Sequence, residues 1–300
     1  MSEVNSKTWE QQTLEKVALA AVREQRTARR WKIAFRIIWL IIFASIWVYL
    51  SDQFHQGDRV GKKPGVHGYT ASINVMGEIV SEGQGAMLAS ADRVIDSLHD
   101  AFKDNEVKGI VLRVNSPGGT PVASGRIYDA IQSLRKQYPA KLIYTVVDDL
   151  CASGCYYVAV ATNKIFVNRA SIVGSIGVRM DGFGFTEGMK KLGIERRLIT
   201  AGEHKGFLDP FSPLDPKQLA FTKNLLQNLH VQFIQAVKTG RGNRLQDNPD
   251  IFSGLAWDGL SAINLGLVDG QGTVEYVAKE LIKAEEIIDF SYKPTWIDYL

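Results

Sequence analysis

Three short runs between residues 109 and 167 constrain this chain more than any other feature. Gly109–Val114 (GIVLRV), Lys141–Val147 (KLIYTVV) and Lys164–Val167 are near-continuously apolar and rich in β-branched residues. Strands apolar on both faces are buried on both faces, as in parallel sheets covered by crossover helices. The stretches between them fit that scheme. Pro121–Lys136 has a helical apolar period, and Ser153–Ala161 reads as a short helix. Upstream, Tyr69–Met76 is strand-like. Ala89–Phe102 reads as a helix, with Leu88, Val94, Ile95, Leu98 and Phe102 on one face. Downstream, Asp215 as N-cap, Pro216 at the first position and Gly240 as the stop delimit a long helix. A last helix is expected over Thr273–Ala284. The predicted class is α/β: a parallel-sheet domain with crossover helices.

The first fifty residues obey a different logic. They hold eight Lys/Arg and four Asp/Glu, whereas the other 250 hold 27 and 28. All the positive excess therefore precedes one apolar run. From Ile33 to Leu50 there are 18 residues with Arg36 the single charge. As a helix this is roughly 27 Å long, close to the hydrocarbon thickness of a bilayer. Arg23, Arg26, Arg29, Arg30, Lys32 and Arg36 lie on its N-terminal side. By the positive-inside rule that side is cytoplasmic and residues 51–300 lie across the membrane. A cleaved signal peptide fits less well, because the basic region would run to about 30 residues and no A-x-A site follows. Residues 8–30 read as an amphipathic helix, and 51–68 as a polar, Gly-rich linker.

Composition removes several functions. With 45% hydrophobic and 22% charged residues, a mostly disordered chain and a multi-span membrane protein are both excluded. The near-neutral remainder gives no electrostatic basis for binding nucleic acid. Two cysteines rule out a disulfide-rich scaffold, and no spacing suits zinc.

Two loops follow sheet strands, where open α/β sheets bind ligands. One is Asn115–Gly119 (NSPGG), the other Cys151–Cys155 (CASGC). Gly118 and Gly119 allow close backbone approach, and their N–H groups can face a developing oxyanion. Ser153 stands where a helix begins, beside free N–H groups. Attack on an amide needs such a pair of features. Each loop alone is equally common turn or cap chemistry. A serine also needs a base. His55 and His67 fall in the linker, His99 on a polar helix face, and His230 reads as structural. His204 and Lys205 share a Gly-bounded loop, and residue chemistry does not choose between them.

Residues 109–119 (GIVLRVNSPGG), 153–161 (SGCYYVAVA), 171–178 (SIVGSIGV), 202–213 (GEHKGFLDPFSP) and 264–272 (NLGLVDGQG) come in one order and with family-like spacing. Together they resemble the bacterial signal peptide peptidase A family in its short form, over about residues 69–285. That resemblance implies a Clp protease/crotonase-like fold and a serine protease with a Ser/Lys dyad. Ser153 would be the nucleophile and Lys205 the general base. Ser175 would hydrogen-bond the lysine amine, and the Gly119 and Gly154 N–H groups would form the oxyanion hole on a loop shaped by Gly118. An ordinary lysine is only about 0.1% neutral near pH 7.4, so such a base must be desolvated. The family implies a homo-oligomeric ring in which the lysine reaches a neighbour's serine. The sequence itself leaves open whether the dyad forms within one chain or between two.

The expected organisation is therefore a cytoplasmic segment (1–30), a transmembrane helix (31–50), a linker (51–68), a catalytic domain (69–285) and a tail (286–300). The tail reads as a packed strand or frayed end rather than a docking segment. The expected location is the bacterial inner membrane, single-pass, with the catalytic domain on the extracytoplasmic side. The implied partners are signal-peptide remnants and other apolar peptides, together with the lipid bilayer. No cofactor or metal is expected. The alternatives are an inactive anchored scaffold and a crotonase-like acyl-thioester enzyme. Cys151 and Cys155 are expected as free, buried thiols, since side chains four apart across a helix start rarely reach disulfide geometry.

Overall fold

The computed structural model describes residues 9, 19, 29–48, 68–82 and 88–292. The amphipathic helix expected over 8–30 falls mostly outside the described residues, as do nearly all of the linker and residues 293–300. The chain divides into two units, Met1–Asp58 and Arg59–Leu300. In the first, α1 spans Arg29–Val48 with mean hydropathy 1.8. Among the described residues it is the one helix long and apolar enough to cross a membrane. Its large apolar side chains, Trp39, Leu40 and Phe43 among them, are exposed all round.

The second unit runs β1 (Tyr69–Met76), β2 (Glu78–Val80), β3 (Leu88–Ser90), α2 (Ala91–Lys103), β4 (Val107–Ser116), α3 (Pro121–Gln137), β5 (Leu142–Ala152), α4 (Gly154–Ala159), β6 (Lys164–Val167) and β7 (Ile172–Gly174). There follow α5 (Thr186–Lys191), α6 (Pro216–Arg241), β8 (Ala256–Asp258), α7 (Gly259–Asn264), β9 (Gly270–Gln271), α8 (Val274–Tyr276) and β10 (Ile287–Asp289). The main sheet has the order β10-β1-β4-β5-β6-β9, all parallel. β7 pairs with the far end of β5, and β8 runs antiparallel to β7. A second, two-stranded sheet joins β2 and β3.

The apolar runs form the central strands. Ile110, Leu112 and Val114 of β4 and Ile143 of β5 are wholly buried. α2 packs Val94, Leu98 and Phe102 into the core, and α3 packs Ile127, Ile131 and Leu134. Each such side chain contributes about 1.5–3 kcal/mol by leaving water. α3 begins as its sequence demands, with Pro121 in the first turn and Thr120 Oγ1 accepting from Ala123 N at 3.4 Å. Asp215 caps α6 in the same way, accepting from Lys217 N at 2.8 Å.

Several boundaries differ from the sequence reading. β5 continues through Asp148 and Asp149 to Ala152 because β4 supplies partners for the acids. Arg113 Nε pairs with Asp148 at 2.9 Å, and Asn115 Nδ2 donates to Asp149 at 3.1 Å. Leu88 and Ala89 belong to β3 rather than α2. α6 runs past Gly240 to Arg241 and ends at Gly242, φ 55°. Gly240 lies inside α6 where the helix passes against the Val160 carbonyl, and a Cβ would overlap it, so its glycine serves close packing rather than a helix stop. The last helix is one α-turn followed by a π-turn over Val277–Ile282. Beyond it β10 joins the sheet edge beside β1, and Phe290 is buried against Tyr69.

Candidate active site

The glycine loop leaves β4 at Ser116, whose Oγ accepts from Gly118 N at 3.1 Å. Gly118 has φ 102°, and a Cβ there would lie 2.7 Å from Gly154 N and 2.9 Å from Ser153 Cβ. Gly119 forms an isolated parallel bridge with Ile79. Ile79 N donates to Gly118 O at 2.8 Å, and Thr120 N donates to Ile79 O at 2.9 Å. In a parallel bridge the flanking residues make both bonds, so the N–H of Gly119 itself points away from Ile79. Gly119 N lies close to the start of α4, 3.1 Å from the position a Gly154 Cβ would take. No side chain fits at Gly119, because its Cβ would overlap the Ile79 carbonyl.

Ser153 makes the turn from β5 into α4 with φ 52° and ψ −122°. A side-chain-bearing residue in such a conformation costs of order 1–3 kcal/mol and persists only where its surroundings enforce it. Ser153 N donates to Gly174 O at 2.8 Å, and Ser153 O accepts from Tyr157 N at 3.0 Å. Cys151 and Cys155 form a disulfide, with their Cα atoms 5.1 Å apart. The expectation of free thiols is thereby corrected. The positive φ at Ser153 folds the chain back on itself and brings the two Cα atoms within bridging range. Ser175 also has a positive φ, 50°, and its N donates to Leu255 O at 2.8 Å, which ties it to the segment before β8.

These residues converge. Gly118, Gly119, Ser153, Gly154 and Ser175 line one cleft of about 740 Å³. Tyr157, Leu229 and Phe233 add apolar surface, and Glu78 and Arg179 bring charge. None of the three apolar residues was singled out from the sequence as part of a site. The pattern of α6 marks Leu229 and Phe233 only as apolar, and they reach the cleft because the helix crosses beside it. Beneath the cleft the short α4 is braced. Tyr156 OH donates to Leu267 O at 2.6 Å, and burial pushes its phenol well above the usual range. Arg241, only 2% exposed, meets Asp269 at 2.6 Å, and Arg244 meets the other carboxylate oxygen at 2.9 Å. Burial pushes the Asp269 carboxyl up, but the Arg241 hydrogen bond and charge, with further donors, hold it below the usual carboxylate range.

Lys205 is elsewhere. It sits in a turn on a long arm between β7 and α6 and is exposed, with its N donating to Gly202 O at 3.1 Å. Lys205 is not among the residues lining the cleft. His204 beside it is exposed too, and His230 Nε2 lies 3.1 Å from Ile176 O in the structural role expected of it. The arm holds its own shape. Phe185 stacks on Phe211 at 5.5 Å, and Arg196 pairs with Asp209 at 3.2 Å. A hydrogen bond from Ser212, helped by Arg196, keeps the Asp209 carboxyl below its usual range. Yet the arm leaves large apolar side chains in the open: Ile199 is 95% exposed, Phe183 81% and Leu192 75%.

A serine with positive φ at a strand–turn–helix junction, with Gly118, Gly119 and Gly154 lining the same cleft, has the local form of a nucleophile elbow. Comparison with known proteins gives the family. The model described as "Peptidase family S49" matches residues 135–287, just over half of the chain. The chain belongs to peptidase family S49. The "Clp protease" model matches residues 72–174, and the fold of this S49 chain is Clp protease-like. A protein of Methanocaldococcus jannaschii provisionally named a protease is 32% identical over 273 residues, 89% of this chain and 84% of its own. A protein of Enterococcus faecium provisionally named signal peptide peptidase SppA is 27% identical over 72% of this chain and 64% of its own. The resemblance to the signal peptide peptidase A family holds. A Brucella melitensis protein named Na(+)/H(+) antiporter NhaA is 45% identical over 175 residues, 58% of this chain. The S49 chain spans only 24% of that relative's length.

Proposed function

We propose that this S49 chain is a membrane-anchored serine endopeptidase that degrades signal-peptide remnants and other apolar membrane peptides. The observation that carries the reading is Ser153, held at φ 52° where β5 turns into α4, lining one cleft with Gly119 and Gly154. Ser153 Oγ attacks the scissile carbonyl as the lysine amine takes its proton. The oxyanion that forms accepts hydrogen bonds from the two glycine N–H groups. The same amine then protonates the leaving nitrogen. A water, deprotonated in turn, hydrolyses the acyl-Ser153 ester. The apolar surface of Tyr157, Leu229 and Phe233 suits apolar side chains of the substrate.

Lys205 is supplied by a neighbouring copy in a homo-oligomeric ring. Its exposure on its own chain, its absence from that chain's cleft and the bare apolar side chains of the arm support this arrangement. Docking of the arm also desolvates the lysine, as a neutral base requires. α1 anchors the enzyme in the bacterial inner membrane with the N-terminus cytoplasmic, and the Cys151–Cys155 bond suits an oxidising, extracytoplasmic side.

Mixing two inactive proteins tests the whole reading. Ser153→Ala and Lys205→Ala should each abolish peptide cleavage. Co-assembled in equal amounts, they should regain roughly a quarter of the wild-type sites, since head-to-tail contacts pair intact serines with intact lysines at random. Wild-type turnover by either variant alone would sink the dyad. Mixed oligomers without activity would return both residues to a single chain.

A further inference from the structure

We infer that the Cys151–Cys155 disulfide is a positioning device for the nucleophile, holding Ser153 and the Gly154 donor in register for attack. The inference rests on the reading of Ser153 as nucleophile. The bond spans the two segments whose relative position defines the elbow. Cys151 is fixed inside the sheet, opposite Ser116 of β4 on one side and Val173 of β7 on the other. Cys155 lies in the first turn of α4, packed in the core. Only Ala152, Ser153 and Gly154 separate them, so the ring closed by the bond contains both the nucleophile and an oxyanion donor.

The backbone bonds of Ser153, to Gly174 and from Tyr157, fix its N–H and C=O. They leave the angle at which α4 departs from β5 to the residues on either side, and the disulfide sets that angle covalently. A role in global stability is a weaker explanation. Stabilisation by chain entropy grows with the loop enclosed, and this loop is among the shortest a disulfide can close. The domain also has an extensive core of its own. Rapid redox cycling is equally ill suited, because both cysteines are buried, at 0% and 1% exposure. Thiols reach them only when the elbow opens locally.

The test uses the full chain in detergent, with a fluorophosphonate probe for Ser153 and a peptide substrate for KM and kcat. Reducing wild type with a phosphine removes the cross-link but keeps both sulfur atoms, so no side chain is truncated and the two sulfurs need only separate to van der Waals distance. The phosphine becomes its oxide with oxygen from one water. The S–S bond takes up two electrons, and the two protons of that water complete the thiols. Progress is read as the mass gain of two hydrogens. Reduction should slow the labelling step and kcat by roughly ten- to a hundredfold, the scale of a small misplacement of reacting atoms. KM should barely move, and the melting temperature should fall by no more than the roughly 4–8 °C that so short a loop implies. Cys151→Ala/Cys155→Ala should begin at the slow rate and show no response to phosphine. Labelling of reduced wild type at the oxidised rate overturns the inference. So does a parallel loss of labelling, KM and melting temperature, which would make the bond a general staple. If oxidised wild type carries no label on Ser153, the nucleophile reading itself fails, and the positioning role fails with it.

Discussion

Around Ser153 every neighbouring residue is tied down. Cys151 is in the sheet and in a disulfide, Ser153 is bonded through both N–H and C=O, and Gly119 is bridged to β2. Lys205 and His204 are exposed and the Lys205 N–H makes a local turn bond, while Phe207 beyond them is half-buried against Phe221 of α6. The first region is over-determined by its own chain, which is how a residue with positive φ is maintained. The second has the composition of a surface awaiting contact, since contiguous exposed apolar residues mark interaction sites. The contrast teaches that one chain fixes Ser153 and the glycines around it, but leaves Lys205 exposed and outside their cleft. Substitutions in the two regions should therefore fail in different ways: in the cleft by loss of chemistry within each chain, on the arm by loss of assembly.

The largest effect is expected at the centre of the over-determined region. Ser153→Ala should lower kcat by about 10⁶-fold, the scale found when a serine nucleophile that works with a base is removed. It should also relieve no strain, because alanine at φ 52° is as disfavoured as serine. Unchanged thermal stability with abolished turnover would place the full effect on chemistry. Residual turnover well above that scale would show that the elbow is not the reacting centre.

Asp269→Ala tests the support beneath the elbow. Arg241 is 2% exposed and would keep a buried charge without its carboxylate, a loss of about 3–5 kcal/mol in stability. The wild-type pair also predicts a pH dependence. The folded pKa of Asp269 is depressed, so its contribution is complete above the unfolded value near 4 and is lost as pH falls through the folded value. Wild type should therefore lose stability in acid below about pH 4 more steeply than Asp269→Asn, which has no such proton to bind. Denaturant midpoints at several pH values measure this. Parallel profiles for the two proteins would remove Asp269 from the account.

Gly119→Ala acts on the oxyanion side. The new Cβ overlaps the Ile79 carbonyl, so the loop must shift and carry its N–H with it. Loss of one oxyanion donor costs roughly 10²- to 10³-fold in kcat. KM should change far less, because the donor matters most in the transition state. An equal change in both would mean that the loop merely shapes the cleft.

Much of the over-determined region was legible in the sequence. GIVLRV reads as a buried parallel strand because all of it but Arg113 is apolar or glycine, and Asp215-Pro216 announces a helix start through side-chain chemistry alone. The glycines of the NSPGG loop suggest close approach, and Gly119 meets Ile79. What was illegible depends on partners far away in sequence. The apolar pattern ends the strand at Val147, and it continues through Asp148 and Asp149 where Arg113 and Asn115 face them across the strand pair. The disulfide was missed because its geometry hinges on one backbone angle, the positive φ of Ser153, which no residue-type rule assigns to a serine. Gly240 reads as a helix stop, but its glycine is there to pass Val160, and Gly242 is the cap. The base was named by resemblance, since residue chemistry alone did not separate His204 from Lys205.

The smallest effect on the fold is expected on the arm, and it bears most directly on the contrast. Ile199 and Phe183 touch little within their own chain, at 95% and 81% exposure. Ile199→Ser and Phe183→Ser should therefore change the stability of the isolated chain by no more than about 0.5 kcal/mol, the range of surface substitutions. If the arm docks on a neighbouring copy, the same changes remove apolar area from that contact, and each such side chain contributes about 1.5–3 kcal/mol when buried. The oligomer should then dissociate at higher protein concentration, and turnover should fall with it. Sedimentation and activity followed over one dilution series separate the cases. Loss of activity in step with dissociation, and its return at high concentration, ties the base to assembly. Full activity from a dissociated chain would mean that Lys205 reaches Ser153 without a partner, and the two regions would then form one self-contained site.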